Sequence, residues 1–161
     1  MKKMKNPWTG KNGYFCFGCC PENESGVKME FYAEGEYVLC RWKPEARFQG
    51  WIDTLHGGIQ ALLIDEICAW AVSYKLNTTG VTMKMETRYK KPVLTTDEYL
   101  DLKARVTEQR RNVVMVEATL CNSKGEVCTE GICTFYAFPK EKAEEMGLTE
   151  CELGPETNTF D

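Results

Sequence analysis

The stretch that decides the fold is GWIDTLHGGIQALLIDEICAWAV, residues 50–72. It contains the single histidine of the chain, His56, followed by two glycines and an apolar run long enough for a buried helix. We predict a helix from about Gly57 to about Leu76, ended by the sequence NTTG at residues 77–80. Because this helix is apolar nearly all round, other elements must enclose it.

The rest of the chain supplies β-strands for that purpose. Two β-rich runs precede the helix and four longer ones follow it, at residues 27–33, 36–42, 81–92, 98–109, 112–121 and 126–138. Long successive strands joined by short turns form an antiparallel meander. We therefore predict an α+β domain over residues 27–138, in which a curved antiparallel sheet wraps one long helix. Residues 1–26 are expected to be an irregular segment that packs on this domain, and residues 139–161 an acidic tail that can form a short helix.

Composition and charge exclude several classes of protein. The 161 residues carry 20 lysines and arginines against 24 acids, which is not the balance of a nucleic-acid-binding protein. The sequence contains no run of about 18 apolar residues, so no membrane span is expected. The basic start MKKMKNPWTG leads into no apolar signal segment. Nine cysteines without a secretory signal favour a reduced, cytoplasmic setting.

Two adjacent acids, Asp65 and Glu66, interrupt the apolar helix. Neither has a basic residue three or four positions away, where a helical partner would lie. A buried carboxylate without a partner has a raised pKa, which suits a general base or a general acid. The competing interpretation is that one of the two, about 100° apart around the helix, faces solvent. A mid-helix Asp needs a reason more than a mid-helix Glu does, but the residues alone leave the choice open.

His56, Gly57 and Gly58 stand at the predicted start of the helix. Glycine allows a tight turn and the close approach of a ligand, and the unpaired N–H groups of a first turn favour an oxyanion. A loop glycine pair without a ligand is the alternative. Gly58 lies about 10 Å along the axis from Asp65, whereas a reacting carbonyl must lie about 3 Å from both groups. A catalytic site would therefore join the glycine end of one helix to the acid of a second copy, in a homodimer or a dimer of dimers.

The sequence HGGIQALLIDE, residues 56–66, set in this order of strands, resembles the hotdog-fold acyl-CoA thioesterases, and more closely their phenylacetate-degradation (PaaI-like) branch. The upstream CFGCCPENESGVKMEF, residues 16–31, resembles the opening of many such bacterial chains. The resemblance covers about residues 14–138. It implies hydrolysis of a small or medium acyl-CoA thioester to a carboxylic acid and CoA, and we expect neither a cofactor nor a metal.

The resemblance also implies roles for individual residues. Asp65 is the base that activates water, or the nucleophile, and is preferred to Glu66 on this ground. The Gly57 N–H of a second copy polarises the thioester carbonyl. His56 orients that turn, and Thr82 lies near the acid and the water.

Further candidates for substrate binding flank the motif. Related enzymes often have Asn or Gln six residues before the histidine, where this chain has Gly50, so the neighbouring amide of Gln49 is the candidate replacement. Basic residues on one strand face form either a patch for the phosphates of CoA or an ordinary solvated face. The full set of candidate contacts is Gln49, Gly58, Trp51, Lys84, Arg88 and Lys90.

Two other functions stay open. A hotdog hydratase or dehydratase would use His56 and an acid across the interface as an acid–base pair. A non-catalytic acyl-CoA-binding protein is favoured by Gly50, which weakens the expected contact to the carbonyl.

The sequence CFGCC, residues 16–20, contains one C-x-x-C motif. A structural zinc site takes four ligands, and a second C-x-x-C is absent. A thioredoxin-type role needs a βαβ context, which the strand order lacks. The sequence assigns no role to Cys16, Cys19 and Cys20.

Overall fold

The structure, a computed structural model, describes residues 1–160; Asp161, the last residue of the predicted acidic tail, lies outside the described residues. The elements in chain order are β1 (Lys2–Met4), β2 (Tyr32–Glu34), β3 (Tyr37–Trp42), α1 (Gly57–Leu76), β4 (Gly80–Tyr89), β5 (Leu100–Arg110), β6 (Val113–Cys121), β7 (Val127–Ala137), α2 (Lys140–Glu145) and β8 (Leu153–Glu156). The strands form an antiparallel sheet in the order β4, β7, β6, β5, β3, β2, β1 and β8. Within residues 1–160, neither helix has both the length and the apolar character needed to cross a bilayer.

The helix α1 has the bounds that the sequence predicts. At its start the Nδ1 atom of His56 accepts a hydrogen bond from the Gly58 N–H at 2.8 Å, and at its end Asn77 adopts the left-handed conformation with φ 49°. Its side chains pack against β3 to β7 and are completely buried at Leu63 and Ile64. Burying each such side chain contributes about 1.5–3 kcal/mol, so this contact holds the domain together. The structure therefore confirms the predicted arrangement of one long helix packed on a curved antiparallel sheet.

The sheet extends further than the sequence indicates. β1 lies in the segment that was expected to be irregular, β8 lies in the acidic tail, and the two pair with each other. Residues 27–31, predicted as part of a strand, instead contact the N-terminal segment: the N–H groups of Val27 and Met29 donate to the carbonyls of Phe17 and Gly18, both at 2.8 Å. The pairing of β1 with β8 joins residues far apart in the chain, so no local pattern reveals it.

Gly131 in β7 marks a close approach between the sheet and α1. A Cβ atom at this position would lie 2.3 Å from Cγ2 of the fully buried Ile64. We expect Gly131→Ala to lower the free energy of unfolding by about 1–3 kcal/mol, because an overpacked core must shift. Denaturant titration measures the change, with Ile132→Thr as the control, since Ile132 in the same strand is 47% exposed. Unchanged stability of Gly131→Ala would contradict this packing.

Candidate active site

Asp65 and Thr82 form a hydrogen bond between α1 and the edge strand β4. The Thr82 hydroxyl donates to Oδ1 of Asp65 at 2.8 Å. Asp65 is half-buried, and none of the ion pairs found within residues 1–160 involves it. Its second oxygen, Oδ2, accepts no hydrogen bond from the described residues. The carboxylate is thus oriented by one partner and keeps an oxygen available for a water molecule.

The start of α1 presents one free backbone donor. The side chain of His56 is occupied as the helix cap, and the N–H groups of Ile59 and Gln60 both bond to the His56 carbonyl. The Gly57 N–H has no acceptor within residues 1–160. This donor therefore stands unpaired at the positive end of the helix dipole, where a carbonyl oxygen or an oxyanion is stabilised.

Tyr89 fixes the backbone at this point, a role that sequence reasoning missed. Its hydroxyl donates to the Gly57 carbonyl at 2.8 Å, and its ring lies 3.6 Å from where a Gly57 Cβ would be. Strict alternation along β4 would put Thr82 and Tyr89 on opposite faces, since they are seven residues apart. The β4 ladder shifts register between Thr82 and Lys84, and both side chains reach α1.

Gly57, at the start of α1, and Asp65, in its middle, do not meet in one chain. β4 runs along the helix, with Thr82 at Asp65 and Tyr89 at Gly57. The helix separates Gly58 from Asp65 by about 10 Å along its axis. A single carbonyl therefore cannot contact both groups of the same chain.

The loop before α1 carries Gln49, Gly50 and Trp51. The Gln49 side chain is engaged within the loop, where its Oε1 accepts the Asp53 N–H at 3.3 Å. A Cβ at Gly50 would lie 3.4 Å from His56, so the loop packs closely on the helix cap. Trp51 and Ile52 are 83% and 84% exposed. The loop therefore presents an exposed apolar tip next to a segment that packs on the helix cap.

The predicted basic patch contains acids as well. Lys84 pairs with Glu86 at 3.3 Å and Lys90 with Glu130 at 2.9 Å. Arg88 is exposed and forms no ion pair within residues 1–160. The two carboxylates reduce the positive potential of this strand face, and Glu130 is also the cross-strand partner of Arg88.

Glu66 lies apart from the other predicted catalytic residues. The Trp70 indole N–H donates to its Oε1 at 3.2 Å, and Sγ of Cys16 lies 3.6 Å from the same oxygen. Burial, together with the neighbouring Cys16, raises the pKa of Glu66 to about 7. A hydrogen bond from Cys19, followed by backbone N–H donors, lowers the pKa of Cys16 to about 5. The two adjacent acids thus lie in different environments: Asp65 contacts Thr82, and Glu66 contacts the C-x-x-C segment.

A cavity of about 610 Å³ lies between β1, residues 28–31 and β8. Its walls include Met4, Phe31 and Trp70 rather than Asp65 or Thr82. It is therefore separate from the site on α1.

Several known proteins similar to this chain in sequence and in structure are thioesterases. Residues 53–129 match the sequence profile of the thioesterase superfamily. Zebrafish thioesterase superfamily member 2 is 26% identical, with a TM-score of 0.63 over 69% of this chain and 82% of that one. A hypothetical thioesterase from Streptococcus pneumoniae, crystallised with coenzyme A, is 22% identical, with a TM-score of 0.63 over 68% of this chain and 85% of that one.

A further thioesterase superfamily protein is 24% identical, with a TM-score of 0.66 over 72% of this chain; the match spans 57% of the length of that protein. A search of curated protein sequences gave no significant match. The architecture is therefore the hotdog fold, as the sequence predicts. More narrowly, residues 53–129 are similar to the thioesterase superfamily.

Proposed function

We propose that the protein is an acyl-CoA thioesterase of the PaaI-like branch, which hydrolyses a small or medium acyl-CoA to a carboxylic acid and CoA. The observation that carries this proposal is the Asp65 carboxylate, oriented by the Thr82 hydroxyl and left with a free oxygen, within a domain similar to the thioesterase superfamily. The coenzyme A bound in the related Streptococcus pneumoniae protein supports the class of substrate.

We place the active site between two copies of the chain. β4 is the first strand of the sheet, so one side of its backbone is unpaired, and its apolar side chains Val81, Met83 and Tyr89 are 51%, 60% and 51% exposed. An exposed apolar edge strand is a surface for pairing with another chain. Two-fold packing along this edge and α1 brings the Gly57 end of one helix opposite Asp65 of the other, in a homodimer or a dimer of dimers.

In this assembly Asp65 acts as a general base. It takes a proton from water, and the hydroxide formed attacks the thioester carbonyl carbon. The oxyanion of the tetrahedral intermediate is stabilised by the Gly57 N–H of the second copy, whose position His56 and Tyr89 maintain. The C–S bond then breaks, and the CoA thiolate recovers the proton from Asp65 or solvent.

The substrate contacts follow from the same arrangement. Gly58, with its N–H held by His56, sets the turn of the backbone around the carbonyl. Trp51 at the exposed loop tip covers the acyl group, and the free amide nitrogen of Gln49 is the second donor near it. Arg88, supported by Lys84 and Lys90, contacts the phosphates of CoA.

A thiol-release assay with the purified chain tests this function. We expect CoA to be released from a panel of acyl-CoAs that runs from acetyl to medium-chain and aryl acyl groups. Crotonyl-CoA should lose thiol while its double bond persists in the acid product. Loss of the double bond without thiol release would show a hydratase, and tight binding of acyl-CoA without turnover would show a binding protein. Either result would overturn the proposal.

A further inference from the structure

Three potential metal ligands meet where the N-terminal segment packs on α1. Sγ of Cys16, Sγ of Cys19 and a carboxylate oxygen of Glu66 all lie within 4.8 Å of one another. Cys19 is buried, and the other two are half-buried. None of the ion pairs found within residues 1–160 involves Glu66, so no lysine or arginine accounts for this enclosed carboxylate.

We propose that Cys16, Cys19 and Glu66 bind one Zn²⁺ ion, with water as the fourth ligand. The sequence offers only one C-x-x-C motif, which supplies two of the four ligands of a zinc site. The fold supplies a third ligand from the middle of α1, fifty residues from Cys16. This site is distinct from the thioesterase site at Asp65.

Two of the three spacings between the ligand atoms match tetrahedral zinc. With Zn–S near 2.3 Å and Zn–O near 2.0–2.2 Å, tetrahedral angles put two sulfurs about 3.8 Å apart and a sulfur about 3.5 Å from an oxygen. The two Sγ atoms are 3.5 Å apart, and Sγ of Cys16 is 3.6 Å from Oε1 of Glu66. A metal ion can enter with adjustments of only a few tenths of an ångström at these two edges.

Each proposed ligand also has a hydrogen-bond partner that orients it. The Gly18 N–H donates to Sγ of Cys16 at 3.3 Å, and the Trp70 indole donates to Glu66. The Tyr14 hydroxyl, which accepts a bond from Asn6, lies 3.0 Å from Sγ of Cys19. Such supporting partners are characteristic of metal sites.

Gly18 makes the close approach of the loop possible. A Cβ atom at this position would lie 2.4 Å from the Glu66 carboxyl carbon. A glycine between the two cysteines therefore lets the C-x-x-C turn rest directly on the carboxylate. Any larger residue would push the third ligand away from the sulfurs.

The fourth position opens into a small cavity. It has a volume of about 230 Å³ and is lined by the three ligands together with Trp8, Tyr14 and Ser73. This space is large enough for a water molecule, which would complete the tetrahedron. Two thiolates, one carboxylate and one water form a mixed soft and hard set that suits Zn²⁺ better than Mg²⁺ or Ca²⁺, which prefer oxygen ligands alone.

Cobalt substitution tests the site without any assay of activity. The full chain is reduced, stripped with a chelator and titrated with Co²⁺, whose tetrahedral thiolate complexes have charge-transfer and visible absorption. We expect one Co²⁺ per chain, displaced by an equal amount of Zn²⁺. Cys16→Ser and Cys19→Ser should lose the thiolate absorption, and Glu66→Gln should bind Zn²⁺ more than about tenfold more weakly.

Cys20→Ser is the matched control, because Cys20 lies in the same loop with its thiol 3.3 Å from Glu22 instead of the cluster. It should bind Co²⁺ as the wild type does, and circular dichroism confirms the fold of each variant. Absence of stoichiometric Co²⁺ binding by the reduced wild type overturns the proposal whatever the variants do. A Cys16–Cys19 disulfide as the only product, or unchanged zinc affinity in Glu66→Gln, overturns it as well.

Discussion

Replacing Asp65 by Asn is expected to lower kcat for acyl-CoA hydrolysis by about 10²–10⁴-fold, the usual contribution of a positioned general base. Asn has nearly the same shape and can still accept the hydrogen bond from Thr82, so the fold is expected to persist. It cannot take a proton from water, however, and the attack on the thioester loses its base. Steady-state thiol release measures the loss, and the KM for the acyl-CoA should change little.

Two further variants sharpen this result. Thr82→Val removes the hydroxyl that orients Asp65, and we expect an intermediate fall of about tenfold, since a hydrogen bond to a charged group is worth about 1.5–3 kcal/mol. Glu36→Gln, at an exposed acid between β2 and β3, is the control for loss of a negative charge and should keep full activity. Wild-type turnover by Asp65→Asn would remove Asp65 from the mechanism.

Gly57→Pro should be nearly as damaging, because proline lacks the N–H that is proposed to hold the oxyanion. Loss of one such donor costs about 10²–10³-fold in kcat. Proline is well tolerated at the first position of a helix, and the ψ of 134° at His56 suits the residue before a proline. The helix should therefore still form, which far-ultraviolet circular dichroism and the melting temperature can verify.

Gly57→Ala is the matched control for that change. It keeps the N–H, and its Cβ would lie at an ordinary contact distance of 3.6 Å from the Tyr89 ring. We expect it to retain most of the activity. Equal kcat values for the Pro and Ala variants would show that the Gly57 N–H does not contact the reacting carbonyl.

The sequence predicts the elements that depend on local pattern. The limits of α1 follow from a continuous apolar run bounded by His-Gly-Gly and NTTG, and the meander of β4 to β7 follows from β-rich runs with turns between them. The pairing of β1 with β8 joins the two ends of the chain, and no periodicity within either segment indicates it.

The candidate site likewise contains contacts that no local sequence pattern predicts. The contact between Asp65 and Thr82 was anticipated from the family resemblance, and the structure brings the two side chains together. Tyr89 was missed because the irregular ladder of β4 changes which side chains face the helix. The partners of Glu66 were missed because Cys16 and Cys19 reach α1 only through the packing of a loop-rich segment.

The central claim is that each active site joins Asp65 of one chain to Gly57 of another, and mixed dimers of the two inactive variants test it most directly. Asp65→Asn and Gly57→Pro chains with different tags are co-expressed, and the dimers carrying both tags are isolated. A mixed dimer then contains one site with both defects and one intact site, so it should show about half the wild-type activity per dimer. Mixed dimers no more active than the two inactive parents would contradict the composite site.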